Sequence, residues 1–98
     1  MLKNKKNITL PINTSTLYLR DPKAIAFVSS RHKFIGKIVE DKKKVLDIGC
    51  GDGFGTTIVS QFVKKIIGID YYQAHIDEAR KNLAKNFSNI KFFAKNIF

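Results

Sequence analysis

Cysteine is almost absent: the 98-residue chain has one, Cys50, and one thiol closes no internal disulfide. A disulfide-stapled scaffold is therefore excluded. Tryptophan is missing and proline occurs only as Pro11 and Pro22, so no proline-rich linker is present. No apolar run approaches the roughly 20 residues that a bilayer-spanning helix needs, and no membrane partner is expected. The opening Met1–Lys6 is basic, but Asn7–Thr16 holds no apolar core of signal-peptide length. A secretion signal is not read here and the cytoplasm is the expected address. The triplets Asn7-Ile8-Thr9 and Asn13-Thr14-Ser15 are then chance matches to a glycosylation pattern. No His, Cys or acidic spacing suits a metal.

Acidic residues are also few: eight against 18 basic ones, a formal net charge of +10. Such an excess can mark a nucleic-acid or anionic-membrane partner. Only three of the 18 are arginine, the preferred reader of phosphates, and the lysines are scattered. The charge reads as a solvated lysine-rich surface. Its company of Asn and Ile is what an A/T-rich genome encodes without selection for charge.

What the chain does contain is enough for one small domain. The hydrophobic fraction of 44% is that of a globular protein. Residues 1–20 show no period and read as a loose lead-in, with the domain over 21–98. Asp21-Pro22 has the form of a helix start, because Asp caps well and Pro is tolerated at the first helical position. Ile25, Val28, Ile35, Ile38 and Val39, with Phe27 and Phe34 beside them, extend a helical stripe through Glu40. Asp41–Lys44 is a polar connector. Val45–Ile48 is a short apolar run ending in glycines, a buried strand. Phe54, Ile58, Val59 and Phe62 fit a helix face. Ile66–Ile69 is a second strand closed by Asp70. Ile76, Ala79, Leu83 and Phe87 have helical spacing, and Ile90–Phe93 is a third strand. Alternating helices and strands imply an α/β fold with parallel pairing and right-handed crossovers.

The densest signal is Val45-Leu46-Asp47-Ile48-Gly49-Cys50-Gly51-Asp52-Gly53-Phe54-Gly55. A strand runs into a glycine-rich turn and then a helix. Glycine serves there because the turn is sharp and a ligand must touch bare backbone. Glycines alone would fit a tight turn without a ligand equally well. The dinucleotide pattern G-x-G-x-x-G fails: Phe54 or Thr56 stands where the third glycine belongs. The loop fits Asp-x-Gly-x-Gly-x-Gly instead. Asp70 lies at the tip of the second strand, where a carboxylate can accept bonds from a ribose diol. It could also cap the following helix.

These segments resemble the class I S-adenosylmethionine (SAM)-dependent methyltransferases. Val-Leu-Asp-Ile-Gly-Cys-Gly-Asp-Gly and Ile-Ile-Gly-Ile-Asp match the first and second motifs of that family, and the likeness covers about residues 34–98. The resemblance implies a partial Rossmann-like class I methyltransferase fold. Its parallel strands are in the order 3-2-1 with flanking helices, truncated after the third strand. It implies SAM as cofactor and methyl transfer to an unidentified acceptor. Asp47, Gly49 and Gly51 would line the methionine part, with Gly53 helping the loop to close. Asp70 would hold the ribose hydroxyls and Tyr71 would lie against adenine. Asn96 stands where the third motif has an acid that meets the adenine amino group; Asn can still accept a bond there. Cys50 and Ile97 count with the cofactor-binding residues, Cys50 as a packing residue of the loop and not a nucleophile. Arg31, His32 and Lys33 offer cations for the SAM carboxylate or form a plain basic helix face; His75 reads as surface helix.

A complete domain of this family is about twice as long, and no catalytic base is assigned. The chain reads as the cofactor-binding half. The alternatives are a non-catalytic binding module for another nucleotide and an inactive truncated relic with a basic surface. The acceptor favoured is a small molecule over nucleic acid. The first strand, lacking a fourth-strand neighbour, is expected to be an edge through which chains self-associate.

Overall fold

The computed structural model describes residues 7–97. The basic opening Met1–Lys6 lies outside the described residues. The elements, in chain order, are α1 (Ile12–Arg20), α2 (Pro22–Val39), β1 (Lys44–Ile48), α3 (Phe54–Ser60), β2 (Lys65–Asp70), α4 (Gln73–Asn82), a 3₁₀ turn at Ala84–Asn86 and β3 (Ile90–Ala94). The strands form one parallel sheet in the order β1-β2-β3, which is the expected 3-2-1 run read from the other side.

Local chemistry accounts for most boundaries. The Asp21 carboxylate accepts the Lys23 N–H at 3.2 Å and Pro22 opens α2, as the sequence suggests. The apolar spacing after residue 73 carries α4 only to Asn82; Leu83 is buried, and Phe87 follows the 3₁₀ turn. Residues 12–20 correct the expectation of a loose lead-in, because they form α1. Its first turn is capped from a distant loop.

The core lies on one face of the sheet. Val59 of α3 and Ile76 and Ala79 of α4 pack on Ile66, Ile90 and Phe92. Side chains alternate across strands, so Leu46, Ile48, Ile67, Ile69 and Phe93 share the opposite face. Leu46 and Ile48 are 53% and 55% exposed there. Two glycines bring α2 close to α3. A Cβ on Gly36 would strike the Phe62 ring, and one on Gly55 would strike the His32 imidazole. The sheet's edges differ. Arg80 donates twice to the Phe92 carbonyl of β3, at 3.0 and 2.7 Å, whereas β1 pairs only with β2 among the described residues.

Candidate functional site

The carboxyl ends of β1 and β2 deliver the glycine loop and Asp70 side by side. The Gly49 and Cys50 N–H groups both donate to the Ile69 carbonyl, at 2.7 and 3.0 Å, and pin the loop to β2. Gly49 (φ 77°) and Gly51 (φ 58°) have left-handed backbone that side chains rarely adopt. A Cβ on either would meet nothing within 4 Å, so bare backbone faces open space. Gly53 (φ 87°) differs: its Cβ would sit 2.7 Å from the Phe92 ring and 3.0 Å from Ala79. That glycine is required by packing.

Asp70 is the hinge between the two strand ends. Its Oδ2 accepts the Gly51 N–H at 3.0 Å and its Oδ1 accepts the Tyr72 N–H at 2.9 Å. It does not cap α4: Tyr72 holds the N-cap position, and the Tyr72 side chain makes no capping bond. Beside it opens a cavity of about 360 Å3 lined by Ile48, Gly49, Asp70, Tyr71, Lys95 and Ile97, among others. Tyr71 is 75% exposed and meets Tyr72 edge-on at 6.4 Å. Asn96 lies between two lining residues but does not line the cavity itself.

A second cavity, about 440 Å3, lies on the other side of the loop. Gly49–Asp52 form its floor, Asn13, Thr14 and Leu17 of α1 one wall, and Arg31 and His32 of α2 another. The His32 Nδ1–H donates to the Val28 carbonyl at 2.8 Å, which leaves Nε2 toward Gly55. Lys33 lines instead a larger cavity of about 510 Å3 between α2 and α3, which neither the glycine loop nor Asp70 reaches. Asp52 and α1 were missed in the sequence. Asp52 Oδ2 accepts both the N–H and the hydroxyl of Thr14, at 3.0 and 2.6 Å, and Oδ1 accepts the Phe54 N–H at 3.1 Å. An Asp two residues before a helix is a readable capping signal for α3; its reach to α1 is not.

Two expected residues sit differently. Asp47 lines neither of the two cavities beside the loop; its Oδ2 accepts the Thr56 hydroxyl at 2.7 Å and ties β1 to α3. Cys50 is half-buried, with Sγ 3.6 Å from the Gly51 carbonyl. Burial, and then the charges of Asp47, Asp70 and Asp52, push its thiol up to about 12. A thiol so far from ionising is no nucleophile at neutral pH. His75, read as surface helix, is half-buried. Its Nε2 lies 2.8 Å from Asn13 Nδ2 and its Nδ1 4.0 Å from Asp70 Oδ1.

A family model described as a methyltransferase domain matches residues 39–98. The chain belongs to the class I SAM-dependent methyltransferase family. It is 36% identical over 50 residues to a protein-L-isoaspartate O-methyltransferase of Pseudomonas paraeruginosa, a match covering 50% of this chain and 24% of that protein. An uncharacterized RNA methyltransferase of Clostridium tetani is 37% identical over 65 residues, or 65% of this chain and 14% of that one. Among solved structures, a SAM-dependent methyltransferase of Aquifex aeolicus superposes with a TM-score of 0.51 at 28% identity, over 55% of this chain and 31% of that one. This methyltransferase-family chain thus spans about a quarter of the length of the first curated relatives it matches. Among the described residues no group of His, Cys, Asp or Glu could hold a metal ion, and no helix is long and apolar enough to cross a membrane.

Proposed function

We propose that the chain binds SAM across the ends of β1 and β2 and serves methyl transfer to an acceptor as the cofactor-binding part of a methyltransferase. One observation carries this reading: the open backbone of Gly49 and Gly51 and the carboxylate of Asp70 meet at one mouth. Asp70 accepts bonds from the ribose diol, Tyr71 offers an aromatic face to adenine, and Ile97 closes that side. Asn96 stands next to this nucleoside pocket. Gly49–Gly51 and the cavity under α1 would hold the amino-acid arm, with Arg31 in the lining as a basic group for its carboxylate. Cys50 packs beneath the loop, Gly53 fixes its exit, and Asp47 braces it from below through Thr56. Bound there, SAM supplies an electrophilic methyl on a sulfonium. An acceptor's nucleophile would take that methyl as the carbon–sulfur bond breaks, releasing S-adenosylhomocysteine. This chain's residues contribute orientation.

The acceptor we infer is a small molecule. Lys42, Lys43, Lys44, Lys64 and Lys65 are all exposed at the amino ends of the strands, opposite the mouth. That basic cluster faces away from a methyl held at the carboxyl ends. The cytoplasm is the proposed site of action, and the outer edge of β1, unpaired among the described residues, supports self-association. Calorimetric titration with SAM, S-adenosylhomocysteine and NAD tests the core of the proposal. Binding of the first two but not NAD is expected; equal or preferred binding of NAD refutes it.

A further inference from the structure

We infer that Asp52 is a positioning residue that ties α1 across the glycine loop, so that α1 walls the side of the cleft taking the cofactor's amino-acid arm. This rests on the cofactor reading above. The carboxylate of Asp52 accepts three bonds, from the Thr14 N–H, the Thr14 hydroxyl and the Phe54 N–H. It therefore caps two helices at once, satisfying one first-turn donor of each.

Helix α1 packs beside α2 but buries little of its own surface. Thr14 is its one buried residue, while Ile12 and Leu19 are 65% and 80% exposed. Its first turn carries hydrogen bonds to other parts of the fold: Thr14 on the loop, and Asn13 beside His75 of α4. Two consecutive residues of α1 thus reach both lips of the cleft. The wall they form belongs to one cavity only. Asn13, Thr14 and Leu17 line the space over Gly49–Asp52, and no residue of α1 lines the space beside Asp70, Tyr71 and Ile97. Loosening α1 should weaken a ligand that has an amino-acid arm and spare one that has only the nucleoside.

The test compares S-adenosylhomocysteine with adenosine on the full chain, using Asp52→Asn, Thr14→Val and, as the conservative control, Thr14→Ser. Calorimetry reads both affinities, and amide hydrogen exchange reads residues 12–20. Hydrogen bonds to a charged group correspond to about 10- to 100-fold. Asp52→Asn and Thr14→Val are expected to weaken S-adenosylhomocysteine by about that factor, leave adenosine unchanged and speed exchange in α1; Thr14→Ser should behave as wild type. Equal loss of both ligands would mean general loosening and would overturn the inference. So would unchanged S-adenosylhomocysteine affinity in folded variants. A wild-type chain that binds neither ligand would refute the cofactor reading and the ligand part of this inference together, while the exchange rates would still decide whether Asp52 holds α1.

Discussion

Replacing Gly53 by alanine sets a methyl carbon 2.7 Å from Phe92 Cζ, 2.9 Å from its Cε1 and 3.0 Å from Ala79 Cβ. Phe92 and Ala79 are both core residues, 2% and 0% exposed, so neither can swing into solvent. The backbone at φ 87° adds a left-handed penalty of about 1–2 kcal/mol for a residue with a Cβ. Overpacking a core by one carbon adds about 1–3 kcal/mol. The sum, about 2–5 kcal/mol, is a large part of the roughly 5–15 kcal/mol that a small domain has. Gly51→Ala carries only the left-handed penalty, since nothing lies within 4 Å of the new carbon. Urea unfolding followed by far-UV circular dichroism should separate the two, with Gly53→Ala the less stable by about 1–3 kcal/mol. The ligand result runs the other way. Gly51→Ala should fold and lose S-adenosylhomocysteine, because the methyl fills the space over the loop. Equal midpoints for the two variants would refute the division between a packing glycine and a contact glycine.

Asp70→Ala should weaken S-adenosylhomocysteine by about 1.5–3 kcal/mol, read by calorimetry; wild-type affinity would remove Asp70 from the site. Burial and the neighbouring carboxylates push the Cys50 thiol up to about 12 in the folded chain, from an ordinary value of 9.0. The folded state therefore keeps a proton that the unfolded state loses, and stability should fall as pH rises from about 9 toward 12; a Cys50→Ala chain should lose that part of the slope in unfolding curves at stepped pH. Association through the β1 edge should appear as concentration-dependent sedimentation and shrink in Leu46→Lys, which charges the open face; a wild-type monomer at all concentrations would contradict it.

The legible parts of this fold are those whose causes are local. Val45–Ile48 and Ile66–Ile69 are apolar runs stopped by Gly49 and Asp70, and the structure has strands there. Asp21-Pro22 carries its own cap. The family motifs lie in this same local stretch. What could not be read is set across the chain. Helix α1 takes a first-turn cap from a carboxylate 38 positions away, and nothing in residues 12–20 announces that bond. Asp47, Gly51 and Gly53 look alike in a motif, yet one braces a helix, one faces open space and one packs on Phe92. Their differences come from which strand or helix stands behind each. His75 has helical surroundings in sequence, and only the chain's closure brings it to Asp70 and Asn13.

The two backbone bonds to Asp70 have a thermodynamic consequence for any diol arriving at that carboxylate. Each oxygen already accepts one N–H, from Gly51 or Tyr72. An ionised carboxylate has about four lone-pair sites, so roughly one on each oxygen remains. The side chain's rotamers are frozen before the ligand arrives, and no protein partner has to leave to make room. The ordering entropy of that acceptor is thus charged to folding rather than to binding. Association at this spot should be limited by desolvation of the diol, and its heat should vary little between variants that leave Gly51 and Tyr72 in place.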